Sequence, residues 1–98
     1  MRSKEKIKTS VIRTDSISNE GYEYLYRLTS KESESVASYR MPLYSIHIEL
    51  KTPEGLTTER CAKDCFADIG KALVFYDRIV KNLITPINLP YFMEDELN

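Results

Sequence analysis

The stretch at residues 65–84, CFADIGKALVFYDRIVKNLI, limits what this chain can fold into more than any other. Set every 100° around a helix, Cys65, Phe66, Ile69, Ala72, Leu73, Tyr76, Ile79, Val80, Leu83 and Ile84 share one side. Asp64, Asp68, Lys71, Arg78 and Asn82 take the other side and face water. An apolar stripe of this kind has to be covered, so the spacing predicts a helix over 64–84 lying on a second apolar surface. Asp64 is expected to be its N-cap, with the carboxylate accepting a first-turn backbone N–H. Asp68 adds a favourable interaction with the positive end of the dipole. Pro86 turns Thr85 away from helical dihedrals, so the helix is expected to stop near Ile84. Such a helix spans about 30 Å, enough to cross a three- or four-stranded sheet. Val74 and Phe75 break the pattern, since both fall outside the stripe among charged neighbours.

The covering surface comes from the residues before it. Residues 22–29, YEYLYRLT, alternate cleanly: Tyr22, Tyr24, Tyr26 and Leu28 point one way, Glu23, Leu25 and Arg27 the other. Residues 43–50 alternate as strictly, with Tyr44, Ile46, Ile48 and Leu50 opposed to Ser45, His47 and Glu49. Residues 6–14, KIKTSVIRT, read as an edge strand whose lysines discourage sheet-to-sheet pairing. Ile7 and Val11 lie on one face of it and Ile12 on the other. Residues 15–21, DSISNEG, have turn chemistry, and 30–35, SKESES, read as a mobile polar loop. Residues 36–40 start the next strand early, and Pro42 interrupts it at a bulge or an edge. Thr52, Pro53, Glu54 and Gly55 form a turn, after which residues 56–62 return as a short fourth strand. Its register stays open, because two- and three-residue hairpin loops turn opposite faces inward.

The fold expected is therefore a single α+β domain: a four-stranded antiparallel meander (6–62), one long amphipathic helix on one face (64–84) and a tail (85–98). The tail holds Leu89, Phe92, Met93 and Leu97 at helical spacing, with Pro90 where a first turn accepts it. Its acidic residues oppose the helix dipole, so this short C-terminal helix needs tertiary or intersubunit packing to hold. Residues 1–5 are a flexible basic end. The other sheet face, with Lys8, Ser10, Glu23, Arg27, Ser45, His47 and Glu49, is polar enough to stay in water.

Charge and composition exclude several functions. The net charge of −1 argues against broad binding to a phosphate backbone. The ends nevertheless differ in sign: Arg2, Lys4, Lys6, Lys8 and Arg13 near the start, Glu94, Asp95 and Glu96 near the end. Both are expected to be solvated, unless the basic end of one copy meets the acidic end of another. No apolar run is long enough to cross a membrane, and no apolar segment follows the basic N-terminus as a secretory signal requires. Two cysteines are too few for a disulfide scaffold, so a cytoplasmic setting is expected.

The chemistry-bearing candidates are few. Cys61 and Cys65 form C-x-x-x-C at the junction of the last strand and the helix, a spacing open to a redox pair or a metal site. Zinc needs four ligands, and His47 is the only further soft one. Cys65 is expected instead to pack as a small hydrophobe, with Cys61 an ordinary strand residue. Ser45, His47 and Glu49 name the members of a triad, but along one strand they stand about 6–7 Å apart per step, without a nucleophile turn. Gly21, Gly55 and Gly70 are too scattered for a phosphate loop, and no acidic cluster has calcium-loop spacing. The seven tyrosines could stack bases or a sugar, or line the core beneath the helix; the matching face of Tyr44, Ile46 and Ile48 favours the core.

The Y-x-I-x-I strand (Tyr44, Ile46, Ile48), the helix after it, and an ending T-P-x-x-L with an E-D pair (Thr85, Pro86, Leu89, Glu94, Asp95) carry a likeness. On these features the chain, from Tyr22 onward, resembles a small family of uncharacterised proteins of anaerobic Gram-positive bacteria, a domain of unknown function. The resemblance implies no activity, cofactor or catalytic residue. The expectation that remains is a non-enzymatic protein-interaction module without cofactor, pairing as a homodimer or with an unidentified protein. Its contact surface is expected at Val74, Phe75, Tyr91, Phe92 and Met93. The alternative is a nucleic-acid-associated regulator using the basic N-terminal strand and the tyrosines. A thiol or metal site at Cys61 and Cys65, with His47, ranks last.

Overall fold

A computed structural model describes residues 7–33 and 42–97. The basic end at 1–5 and the early strand at 36–40 lie outside the described residues. Four strands, β1 (Ile7–Asn19), β2 (Tyr22–Ser33), β3 (Leu43–Lys51) and β4 (Thr57–Phe66), precede two helices, α1 (Ile69–Lys81) and α2 (Leu89–Leu97). The sheet is an antiparallel meander in the order β1-β2-β3-β4, and the helices lie against one face. The α+β meander expected from the alternation is the fold observed.

β1 is longer than its sequence predicts. The stretch expected to be a turn, 15–21, instead continues the strand to Asn19, and only Glu20 and Gly21 turn. Both have positive φ, 54° and 87°, the backbone of a two-residue hairpin whose twist matches its strands. β2 likewise runs to Ser33, into the segment read as a loop. A bulge at Ile12 inverts the alternation along β1. Ser10, opposite Ser30, is thus on the helix side rather than the open face. Arg13, Asp15 and Ile17, opposite Leu28, Tyr26 and Tyr24, share the helix side. The side chain of Lys8 lies outside the described residues.

The helix starts later than expected. β4 continues through Cys65 to Phe66, so Asp64 is a strand residue with φ of +50° and not an N-cap. Asp68 caps α1, its Oδ1 accepting the Gly70 N–H at 3.1 Å. α1 ends at Lys81 rather than Ile84. Leu83 takes φ of +50°, the Leu83 N–H donates to Val80 O at 3.2 Å, and the Ile84 N–H donates to Ile79 O at 3.1 Å. This is a Schellman closure, which satisfies the last carbonyls before Pro86 is reached.

The core lies between the helices and the helix side of β2, β3 and β4: Tyr26, Leu28, Tyr44, Ile46, Ile48 and Phe66 against Ala72, Phe75, Tyr76, Ile79 and Leu89. Ile69 remains 38% exposed at the first turn. Two core tyrosines are anchored by their hydroxyls. Tyr26 donates to Ile84 O at 3.0 Å, and Tyr76 lies 2.8 Å from Asp15 Oδ2 and 3.1 Å from Tyr26 O. Burial pushes both phenols well above their ordinary pKa, holding them neutral.

Phe75, expected on the charged side of α1, is only 4% exposed. Its ring lies between Phe66 (5.1 Å between centroids) and Phe92 (5.3 Å). The apolar arc of α1 is wider than the sheet alone requires, because α2 folds back and covers its flank. Leu89 is buried and Phe92 and Met93 are half-buried on the core. This packing holds a helix whose charges oppose its own dipole.

Candidate functional site

The face of the sheet away from the helices is built by register. Arg27, His47 and Cys61 stand opposite one another across β2, β3 and β4, while Leu25, Glu49 and Glu59 form the next rank. Thr29 faces Ser45. The polar face expected from the sequence is observed for Arg27, Ser45, His47 and Glu49, yet it is not uniformly wet, because Thr29 and Ser45 are buried. Ser45 is covered by a second bulge. Between the pairs Tyr44–Phe66 and Ile46–Ala62, β4 carries two residues more than β3. The Asp64 N–H, freed from the ladder there, donates to Ser45 Oγ at 2.8 Å. The Asp64 carboxylate pairs with Lys31 Nζ of β2 at 3.2 Å.

His47 sits at the centre of this face. Its Nε2 is 3.2 Å from Thr29 Oγ1 and 3.9 Å from Cys61 Sγ. Partial burial lowers its pKa, the Arg27 charge lowers it further, and Glu59 opposes them. Burial raises the Cys61 thiol, with Lys63 opposing. Both groups therefore rest neutral, as a hydrogen-bonding pair. One cleft of about 230 Å³ opens beside them toward Leu25, Arg27, Glu49 and Glu59. Another of about 180 Å³ opens toward Thr29, Lys31, Ser45 and Asp64.

The two cysteines of the C-x-x-x-C turn to different partners. Cys65 turns its Sγ to Ala62 O at 3.4 Å and Tyr44 O at 3.6 Å; burial pushes its thiol up to about 11. It packs against the core as a small hydrophobe. Cys61 points to His47 instead. Among the described residues, no group of three or more His, Cys, Asp or Glu is placed to hold a metal ion.

The expected contact residues separate. Val74 is 59% and Tyr91 66% exposed. Phe75 belongs to the core, and Phe92 and Met93 cover it. Ile87, which the sequence reading passed over, is as exposed as Tyr91; its place four residues before Tyr91 was the available signal. Thr29 was also missed, since only the β2–β3 register brings its hydroxyl to His47. Of the alternating tyrosines of β2, Tyr26 is buried, Tyr24 half-buried and Tyr22 exposed; Tyr44 and Tyr76 are buried as well. Among the described residues no helix is long and apolar enough to cross a membrane.

No curated protein and no solved structure matches this chain. Residues 5–98 match the model of a family of unknown function, DUF6514, so nearly the whole chain, including β1, belongs to that family.

Proposed function

We propose that the chain is a non-enzymatic protein-interaction module that pairs with a second copy of itself through its helix layer. The observation that carries this reading is the opposite chemistry of two outward stripes. On α1, Lys71, Val74 and Lys81 are spaced i, i+3 and i+10, on the side away from the sheet, and all are exposed. On α2, Tyr91, Glu94 and Asp95 are spaced i, i+3 and i+4 and are also exposed. One stripe is an apolar residue among cations, with Asp77 beside it paired to Arg13 at 3.7 Å, the other an aromatic among carboxylates. A two-fold axis would set each α1 against the partner's α2, so that both contacts form at once and the assembly closes. Val74, Ile87 and Tyr91 supply apolar area, while the charges fix register and exclude like-charged alignments. A cytoplasmic setting goes with this reading, since Cys61 and Cys65 are free thiols.

Light scattering on the purified chain tests it. The expected mass is twice the 11.4 kDa of one chain. Val74→Asp and Tyr91→Asp should each halve that mass while the native circular dichroism is kept, because neither residue is buried within one chain. Lys71→Glu should weaken pairing, and adding Glu94→Lys should restore it. A wild-type chain that stays monomeric at high concentration, or a dimer indifferent to Val74→Asp, would refute the proposal.

A further inference from the structure

We propose that Cys61 is a thiol-modification site, which forms a mixed disulfide with a low-molecular-weight disulfide while His47 takes up the thiol proton. The partner of Cys61 is not Cys65, four residues away in sequence, but the residue facing it across the β3–β4 ladder. With the ring proton on Nδ1, His47 Nε2 is a bare acceptor, 3.9 Å from Cys61 Sγ and 3.2 Å from Thr29 Oγ1. The Thr29 hydroxyl, from a buried residue of β2, meets the same ring nitrogen and shares its lone pair with the thiol, so nucleophile and base stand opposite each other on neighbouring strands.

The surroundings leave room for the incoming molecule, since Cys61 is exposed and lines both clefts. In the larger cleft Arg27 and Arg60 lie with Glu49 and Glu59, a mixture of charges suited to the ammonium and carboxylate groups of an amino-acid disulfide such as cystine. The step balances. The Cys61 S–H proton passes to Nε2, the sulfur attacks one sulfur of R–S–S–R, and a new S–S bond forms as the old one breaks. The departing R–S⁻ leaves with the bond electrons and collects the proton from Nε2 as R–SH. Cys61 is oxidised to the disulfide level and one R–S group is reduced to thiol. Because the resting pair is neutral, the site is quiet until the proton is handed over. Cys65 is an internal control, since its thiol is half-buried and directed at two carbonyls.

The test treats the full chain with excess cystine and follows intact mass and cysteine-containing peptides over time. One cysteinyl group per chain is expected, on Cys61. Cys65→Ser should leave the rate unchanged, and Cys61→Ser should abolish the fast adduct. His47→Gln should slow the reaction by at least about tenfold, since no positioned base then takes up the thiol proton. Equal rates at the two cysteines, or a folded His47→Gln chain that reacts as fast as wild type, would overturn the proposal. A second readout needs no substitution at His47: capping Cys61 should move the ring resonances of His47, which loses its S–H donor. Unmoved resonances would overturn it as well.

Discussion

Replacing Phe75 by alanine tests the reading of the helix layer most directly. The ring is 4% exposed, and its two aromatic neighbours lie at 5.1 and 5.3 Å, tilted by 51° and 39°. Truncating a buried phenylalanine costs about 3–5 kcal/mol, including roughly 0.5–1.5 kcal/mol for each well-placed ring pair. α2 has nine residues and can settle partly into the space, so the lower half of the range applies, about 3–4 kcal/mol. A domain of this size has a total stability of about 5–15 kcal/mol, and each lost kcal/mol lowers the midpoint by about 4–8 °C. The expected fall is therefore roughly 12–30 °C, read by circular dichroism in thermal and urea unfolding. Phe92→Ala alone and with Phe75→Ala should show a coupling of about 0.5–1.5 kcal/mol. Val74→Ala, one residue away but exposed within one chain, should change the stability of the dissociated monomer by less than about 0.5 kcal/mol. A cost at Phe75 below about 1 kcal/mol, or no coupling to Phe92, would mean that α2 does not cover this flank of α1.

Glu20, exposed at φ of +54°, occupies a hairpin position that favours asparagine; Glu20→Asn should raise stability by about 1 kcal/mol, seen as a higher urea midpoint. Cys65, Tyr26 and Tyr76 all have folded pKa values above their unfolded ones. Their contribution is thus complete below pH 9, the ordinary value for the thiol, and is lost as pH rises toward about 11 and beyond. Urea midpoints should be flat between about pH 7 and 9 and then decline, and Cys65→Ser should remove the earliest part of that decline. Asp64, at φ of +50°, should accept glycine within about 1 kcal/mol, since relief of the backbone offsets the surface ion pair. Asp64→Val should cost about 2 kcal/mol or more by the same unfolding assay, because a β-branched side chain resists this backbone.

The elements legible in the sequence are those where one periodicity prevails. Tyr24, Tyr26 and Leu28 in β2 and Tyr44, Ile46 and Ile48 in β3 alternate without interruption, and their apolar face meets α1 as expected. The turn at 52–55 was legible as well, since its proline and glycine leave little choice; the Gly55 N–H donates to Thr52 O at 2.9 Å. The far half of β1 was not. Asp15, Ser16, Ser18 and Asn19 have turn-forming side chains, and what makes them a strand is pairing with β2 together with the Tyr76 hydroxyl on Asp15. The start of α1 was misread because Cys65 and Phe66 fit a helical stripe by position while the ladder holds them as strand. At the candidate site, His47 was visible as a polar residue on an open face. Its neighbours Thr29 and Cys61 were not, because contact across strands depends on register, which a hairpin of undetermined loop length leaves open.

The bulge in β4 links the fold to the site. Without its two extra residues, Asp64 would stand opposite Tyr44 on the core side and Phe66 would lie opposite Pro42, just before the start of β3. Burying that carboxylate unpaired would cost several kcal/mol, and leaving Phe66 outside the core would forfeit roughly 1.5–3 kcal/mol. One residue held at positive φ costs about 1–2 kcal/mol, so the bulged ladder is favoured. It draws Phe66 back over Tyr44 and against Phe75, sends the Asp64 carboxylate to Lys31, and gives the Asp64 N–H to Ser45. The same irregularity separates the environments of the two cysteines. Cys65, inside the bulge, points to the carbonyls of Ala62 and Tyr44, whereas Cys61, in the regular ladder before it, keeps its place opposite His47. The packing demand of one phenylalanine thus decides which thiol reaches the open face.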